Sequence, residues 1–369
     1  MIQPTGSLAP RNQAAHGRRA VHVVKGLAVA AAVALALSAC AGGGTAASGG
    51  GDAEAASYGA ASIQLSWIKN AEFMGEYYAD KNGYFADAGF DSVELIAGPA
   101  SAEAGVISGN VDLGVGNAIS TGTVIANEGA PLKVIGATYQ KNPFSILSLA
   151  GVGNIITLAD LKGKTIGVQA SNQSLWEAFL AVNEIDPKSL TTVPVEYDPT
   201  PLFNGEVDGW FSYLTNEGID AELKGLDPVN LPLADNGLPF VAETLVASDD
   251  AIKNDREKLK ALLVAEIRGW TDAIKDPDAA AKLTIDSYGK GLGLSIEKET
   301  RQAQIQSADL VVSDETAKNG LFTISDALQK QSVKTLKAAG VTITPKQLFD
   351  VSLLAEVYQE NPDLIAYGK

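Results

Sequence analysis

Cysteine and histidine are nearly missing from this chain of 369 residues, which has one cysteine, Cys40, and two histidines, His16 and His22. A single thiol forms no internal disulfide. Because both histidines precede position 23, anything folded downstream lacks imidazole, which excludes Ser-His-Asp and Cys-His catalysis and His-bearing zinc sites there. Cations are scarce as well: 28 Lys+Arg stand against 44 Asp+Glu, a formal net charge of −16. Nucleic-acid binding needs clustered cations to neutralise phosphate, so that class of partner is set aside. The longest apolar run, residues 26–39, falls short of the roughly 20 residues a membrane-spanning helix needs.

The charge is unevenly placed. Residues 1–39 hold four charged side chains, all basic (Arg11, Arg18, Arg19 and Lys25), which leaves 24 Lys+Arg against 44 Asp+Glu, or −20, in the remainder. A basic start, the small apolar stretch GLAVAAAVALALSA and then Cys40 read as a secretory signal peptide over residues 1–39. Leu37-Ser38-Ala39-Cys40 resembles the lipobox of bacterial lipoproteins, which implies lipidation of Cys40 and an exported protein anchored outside the cell membrane. Arg18-Arg19 resembles a twin-arginine signal, and general secretion stays open beside it. Residues 40–62 form a Gly/Ala/Ser tether without apolar periodicity, spanning about 25 Å as a flexible coil.

From Ile63 onward short apolar runs alternate with helical segments, the pattern of an α/β fold. Strands are expected at Ile63–Trp67, Ser92–Ile96, Val111–Val115, Leu132–Thr138, Lys164–Val168, Thr192–Glu196, Asp208–Ser212 and Phe240–Ala247. Everything after Asp249 reads as helix. This order predicts residues 63–140 plus 241–369 as one lobe and 141–240 as a second, with chain crossings near 140–145 and 236–241. An internal echo, Ser108-Gly109-Asn110-Val111-Asp112 and Asn204-Gly205-Glu206-Val207-Asp208, marks a helix–Gly–strand corner in each lobe.

Segments after strand ends face the cleft between such lobes, where open α/β sheets bind ligands. Four stand out: WIKNAEFMGEYY from Trp67, GVGNAISTGT from Gly114, VQASNQSLW from Val168 and WFSYLTNE from Trp210. They are rich in aromatics, Asn, Gln, Ser and Thr, and Lys69 is their one cation. Sulfonate, nitrate or phosphate asks for Arg, Lys or a nest of N–H groups, and only the last could be supplied. A flat nitrogen-bearing ring suits these residues better, stacked on Trp or Tyr and gripped at its edge by Glu72 or Glu217. A quaternary ammonium held by cation–π contact fits too. Met74 and Trp270 are assigned to the core. The acid pairs Asp249-Asp250 and Asp276–Asp278 read as helix starts, not as a catalytic dyad.

The segments LSWIKNAEFMGEYYADKNGYFADAGFDSVEL and ISGNVDLGVGNA, with LADLKGKTIGVQ, NGEVDGWFSYLTNE and RGWTDAIKDPDAAAKLT, resemble the solute-binding lipoproteins of ABC importers. The group they are most similar to is related to thiamine-pyrimidine synthase. The resemblance implies a two-lobed type II periplasmic-binding-protein fold with a hinge and an interlobe cleft. It also implies a monomeric receptor that passes a thiamine pyrimidine precursor or riboflavin to a membrane permease. Receptors for nitrate, sulfonate and taurine share the skeleton, so an anion remains the alternative ligand. A pyrimidine-forming enzyme is the alternative of another class. The synthases of the group consume a histidine after a W-x-x-N-like segment; here Trp67-Ile68-Lys69-Asn70-Ala71-Glu72-Phe73 has none. No catalytic residue, cofactor or metal is therefore expected. Ligand contacts are expected from Trp67, Asn70, Glu72, Phe73, Asn117 and Ser120 in the first lobe. Gln169, Asn172, Trp176, Tyr213, Asn216 and Glu217 are expected from the second.

Overall fold

The computed structural model describes residues 57–367. The expected signal peptide, Cys40 and most of the tether lie outside them. Ten strands occur among the described residues: β1 (Gly59–Gln64), β2 (Phe90–Ile96), β3 (Leu113–Asn117), β4 (Leu132–Tyr139), β5 (Phe144–Leu149), β6 (Thr165–Gln169), β7 (Thr191–Val195), β8 (Gly209–Tyr213), β9 (Pro228–Pro232) and β10 (Ala242–Ser248). The helices that position the site are α1 (Met74–Lys81), α2 (Ala102–Ile107), α3 (Ala118–Glu128), α4 (Gln173–Val182), α5 (Glu217–Leu223), α6 (Arg256–Lys275) and α7 (Ile296–Gln306).

The strands form two five-stranded sheets of the same plan, ordered β2-β1-β3-β10-β4 and β7-β6-β8-β5-β9. In each, three strands run parallel and the fourth returns antiparallel beside the third. The chain passes from the first sheet to the second between Tyr139 and Phe144 and comes back between Pro232 and Ala242. Asn142 ties the two crossings together: its Nδ2 donates to the Leu238 carbonyl at 2.7 Å, and its Oδ1 accepts from the Phe144 N–H at 2.8 Å.

The repeated pentapeptide explains part of this symmetry. Gly109 and Gly205 adopt left-handed φ of 69° and 74°, a conformation that a Cβ disfavours. Three residues later, Asp112 Oδ2 accepts the Ser62 N–H at 2.9 Å and Asp208 Oδ2 accepts the Thr165 N–H at 2.8 Å. Each aspartate thus closes the corner onto the neighbouring parallel strand of its sheet. Asp208→Ala is expected to cost about 1–3 kcal/mol, the penalty for stranding a partly buried donor. Urea denaturation measures it, and an unchanged midpoint would reduce the echo to coincidence.

Two local expectations need correction. The first strand spans Gly59–Gln64 instead of Ile63–Trp67, so residues 59–62 are not tether. They pair with β2 while Tyr58 packs on Phe90 with ring centroids 5.3 Å apart. The chain turns at Leu65 and delivers Ser66 and Trp67 to the strand end. Strands β5 and β9 were not anticipated. Every residue of β5 is buried, so the alternation that identifies a half-exposed strand is missing. The acid pairs do start helices: Ser248 caps Asp249–Asn254, and Asp276 accepts the Ala279 N–H at 3.0 Å ahead of Pro277.

Candidate functional site

A cavity open to solvent lies between the two sheets, where the C-terminal ends of β1, β3, β6 and β8 meet the helices that follow them. From the first sheet, Ser66 and Trp67 follow β1, and Glu72 sits in the short turn Ala71–Phe73 that leads into α1. Glu103 lies in the first turn of α2, behind its capping residue Ser101. Asn117 ends β3 and caps α3, its Oδ1 accepting the N–H groups of Ile119 and Ser120 at 3.0 and 2.9 Å. From the second sheet come Gln169 and Asn172 after β6, and Tyr213, Asn216 and Glu217 where β8 hands over to α5. Glu217 Oε2 accepts the Tyr213 N–H at 3.1 Å, which fixes this corner.

Glu243 completes the cavity, and the sequence reading missed it. It stands in β10 with φ +44°, at a register shift against β3. A bulge of this kind turns a side chain off its strand's normal alternation, and a non-glycine residue with positive φ is strained. The strain aims the carboxylate into the cavity. Tyr213, from the other sheet, donates its hydroxyl to Glu243 Oε1 at 2.5 Å, and Ser66 Oγ donates to Glu243 Oε2 at 2.9 Å. The one signal for Glu243 was a charge inside the apolar run FVAETLVAS.

The lining is acidic. Glu72, Glu103, Glu217 and Glu243 contribute four carboxyl groups, and neither lysine nor arginine lines the cavity. Burial pushes Glu243 and Glu217 up to about 7. Burial, followed by the neighbouring Glu243 charge, holds Glu72 well above the usual carboxylate range. Aromatic walls come from Trp67, Phe144, Phe211 and Tyr213, with the Phe144 and Tyr213 rings edge-on at 4.5 Å.

Three expected contacts do not line the cavity. Asn70 is 1% exposed and its Oδ1 accepts the Glu72 N–H at 3.0 Å, so it caps the turn that presents Glu72. Phe73 is buried in the core. Trp176 also faces the core: α4 has turned about 100° per residue beyond Asn172, and the indole N–H donates to Thr192 Oγ1 at 2.9 Å. Trp67, Glu72, Asn117, Ser120, Gln169, Asn172, Tyr213, Asn216 and Glu217 are brought together around one space. Beyond Glu243, the reading passed over Ser66, Glu103, Phe144 and Phe211. Ser66 and Phe211 touch or fall within segments already singled out, whereas Phe144 belongs to the unanticipated β5. Among the described residues no group of three His, Cys, Asp or Glu is arranged to hold a metal ion. No helix among them is long and apolar enough to cross a membrane.

Comparison with known proteins matches this architecture. A riboflavin-binding protein, RibY of Chloroflexus aurantiacus, is 24% identical over 77% of this chain and 82% of its own length. A formylaminopyrimidine-binding protein of Halalkalibacterium halodurans is 22% identical over 72% of this chain and 80% of its own. Among solved structures, the periplasmic nitrate-binding protein NrtA of Synechocystis PCC 6803 superposes with a TM-score of 0.59 at 13% identity, covering 83% of this chain and 90% of that one. The desulfurization enzyme DSZB superposes at 0.53 with 14% identity, covering 81% and 99%. The fold is therefore that of the periplasmic binding proteins, which receptors and at least one enzyme share. The sequence profile described as NMT1/THI5 like matches residues 70–280, more than half of the chain, and the chain belongs to that family.

Proposed function

We propose that this protein is the extracytoplasmic solute-binding component of an ABC importer, and that its solute is a small nitrogen heterocycle such as a thiamine pyrimidine precursor or riboflavin. The observation that carries this reading is the cavity itself, in which four buried carboxyl groups and four aromatic rings meet no cation. An amino-substituted ring offers N–H donors to the carboxylates and a flat face to Trp67, Phe144, Phe211 or Tyr213. The names of RibY and of the formylaminopyrimidine-binding protein support the same class of solute.

The charge pattern disfavours an anion. Helix N-termini often bind anions through free N–H groups. Here Asn117 already occupies those of Ile119 and Ser120, Ser101 Oγ accepts that of Ala104 at 3.2 Å, and Glu72, Glu103 and Glu217 sit in first turns. The N–H groups at these helix starts are thus largely committed within the protein and leave little for nitrate or sulfonate. The lack of histidine and of a metal-ligand cluster among the described residues favours a receptor over an enzyme on this fold. Lipidation at Cys40 would hold the receptor beside its permease, and a single chain supplies both walls of the site.

Thermal denaturation with a 4-aminopyrimidine, riboflavin, nitrate and taurine tests the reading. Ligand at a hundred times its Kd stabilises by about 2.7 kcal/mol. One of the two heterocycles is expected to raise Tm by several degrees, with nitrate and taurine inert; stabilisation by an anion alone would overturn the assignment. Trp67→Ala and Tyr213→Ala are each expected to remove the ligand-induced rise in Tm, and binding that survives both would misplace the site.

A further inference from the structure

Ser66, Glu72, Glu243 and Tyr213 hold a proton that ionised side chains cannot account for. Ser66 Oγ lies 2.9 Å from Glu243 Oε2 and 3.3 Å from Glu72 Oε1, while Tyr213 Oη lies 2.5 Å from Glu243 Oε1. The serine and the tyrosine bring one hydroxyl hydrogen each, and an ionised carboxylate brings none. Two hydrogens do not satisfy three contacts. The tyrosine is committed to Glu243 Oε1 and the serine to its closer partner, Glu243 Oε2. The remaining approach of Ser66 Oγ to Glu72 is then a contact of lone pairs, unless Glu72 supplies a hydrogen of its own. Both carboxyl groups thus meet on the one serine oxygen, each buried, with a single serine hydrogen between them.

No neighbour removes the need. Tyr139 faces the pair from β4, Glu76 and Tyr77 from α1, Glu217 from α5 and Glu103 from the α2 side of the cavity. On α7, Glu299 accepts the Ala71 N–H at 2.6 Å, and Lys298 offsets the charge of Glu217 and Glu299. The charged side chains lining the cavity around the pair are all acidic, and two carboxylates sharing one serine hydroxyl do not both ionise without a cation beside them.

We infer that Glu72 is a neutral carboxylic acid in the empty receptor and that it passes its proton to a basic ring nitrogen of the solute. The O–H bond of Glu72 breaks, a ring N–H bond forms, and the resulting carboxylate accepts two parallel N–H bonds from the ring and its adjacent amino group. No proton leaves the site and no co-reactant is required. The second half rests on the heterocycle reading above and narrows it to rings with an amidine-like N–C–NH2 edge. A flavin, whose corresponding edge is a weakly basic imide, takes up no such proton.

Infrared spectroscopy of the ligand-free protein at neutral pH tests the first half. A carboxylic-acid carbonyl band is expected in the wild type, with one component of it lost in Glu72→Gln and shifted in Ser66→Ala, which keeps the acid and removes its serine contact, while the components of other buried acids such as Glu76 and Glu266 stay. A wild-type spectrum in which neither substitution alters an acid band would overturn the protonation of Glu72, whatever the protein binds. For the second half the probe is ring-labelled nitrogen-15 4-aminopyrimidine, observed by NMR well above its own pKa. The bound ring nitrogen is expected at the protonated shift in the wild type and at the neutral shift in Glu72→Gln, with affinity lower by about tenfold or more for loss of a charge-assisted pair. A neutral shift in the wild-type complex would overturn the transfer. Absence of any aminopyrimidine binding would overturn it as well, while the infrared result decides the state of Glu72 independently.

Discussion

Raising the pH from about 5 to about 8 is expected to lower the melting temperature of this protein by roughly 5–15 °C, the reverse of simple acid denaturation. Burial pushes Glu76 up to about 8 and Glu217 and Glu243 up to about 7, and it holds Glu72 and Glu266 well above the usual range. In the unfolded chain these carboxyls titrate near 4.3. Between that value and the folded one the native state binds more protons, so stability falls as pH rises. The contribution is fully present below about pH 4 and is lost as pH climbs through 7 to 8. Asp160, Asp198 and Glu356 are shifted downward by hydrogen bonds, and their contribution is lost only at more acid pH. Calorimetry at constant ionic strength measures the slope, and a melting temperature at pH 8 equal to that at pH 5 would refute it. Glu266→Gln removes a carboxyl with neither oxygen partnered, so it should flatten the slope without touching the cavity.

Gly269→Ala is expected to destabilise the protein by about 3 kcal/mol or more and to weaken ligand binding with it. Helices α1 and α6 cross at two glycines. A Cβ on residue 269 would stand 2.2 Å from the Gly75 carbonyl oxygen and 2.7 Å from the Ala79 nitrogen, while one on residue 75 would meet the Trp270 ring at 2.2 Å. Backbone atoms at such distances yield only if a helix moves. One of the two is α1, and Glu72 lies in the turn immediately before it. Overpacking at residue 269 therefore reaches the cavity through the capped turn at Asn70. Chemical denaturation and ligand titration of Gly269→Ala, beside Gly151→Ala, where a Cβ meets nothing within 4 Å, provide the comparison. Equal stability of the two variants would contradict the close crossing.

Much of the fold was visible in local pattern. Parallel strands followed by helices announce themselves through short apolar runs and glycine corners, and the Gly109 and Gly205 echo corresponds to matching turns in the two sheets. What local pattern missed were elements whose identity comes from burial. Strand β5 is buried on both faces, serines included, and Gly59–Ser62 looks like linker until β2 pairs with it. The cavity residues divide in the same way. Those at strand ends, such as Asn117 and Tyr213, were accessible because a strand end followed by a helix start has a defined position in an α/β sheet. Trp176 was misjudged because one turn of helix separates a cleft-facing residue from a core-facing one, and spacing alone does not say which face the sheet covers.

The sequence by itself determined the chemistry this protein lacks: past position 40 it has no imidazole and no thiol, and its excess of acid is marked. It also determined an α/β chain of two similar halves. Only the tertiary structure decided where the acid is concentrated. Glu72 and Glu243 are 171 positions apart, and nothing local relates them. A capped turn after β1 and a strained bulge in β10 place both carboxyls on one serine hydroxyl. Long-range strand order sets that meeting, because β10 enters the first sheet only after the chain has built the second. Its consequence, a carboxyl pair held well above the usual carboxylate range, follows first from burial and, for Glu72, then from the charge of Glu243, and cannot be read from either residue alone.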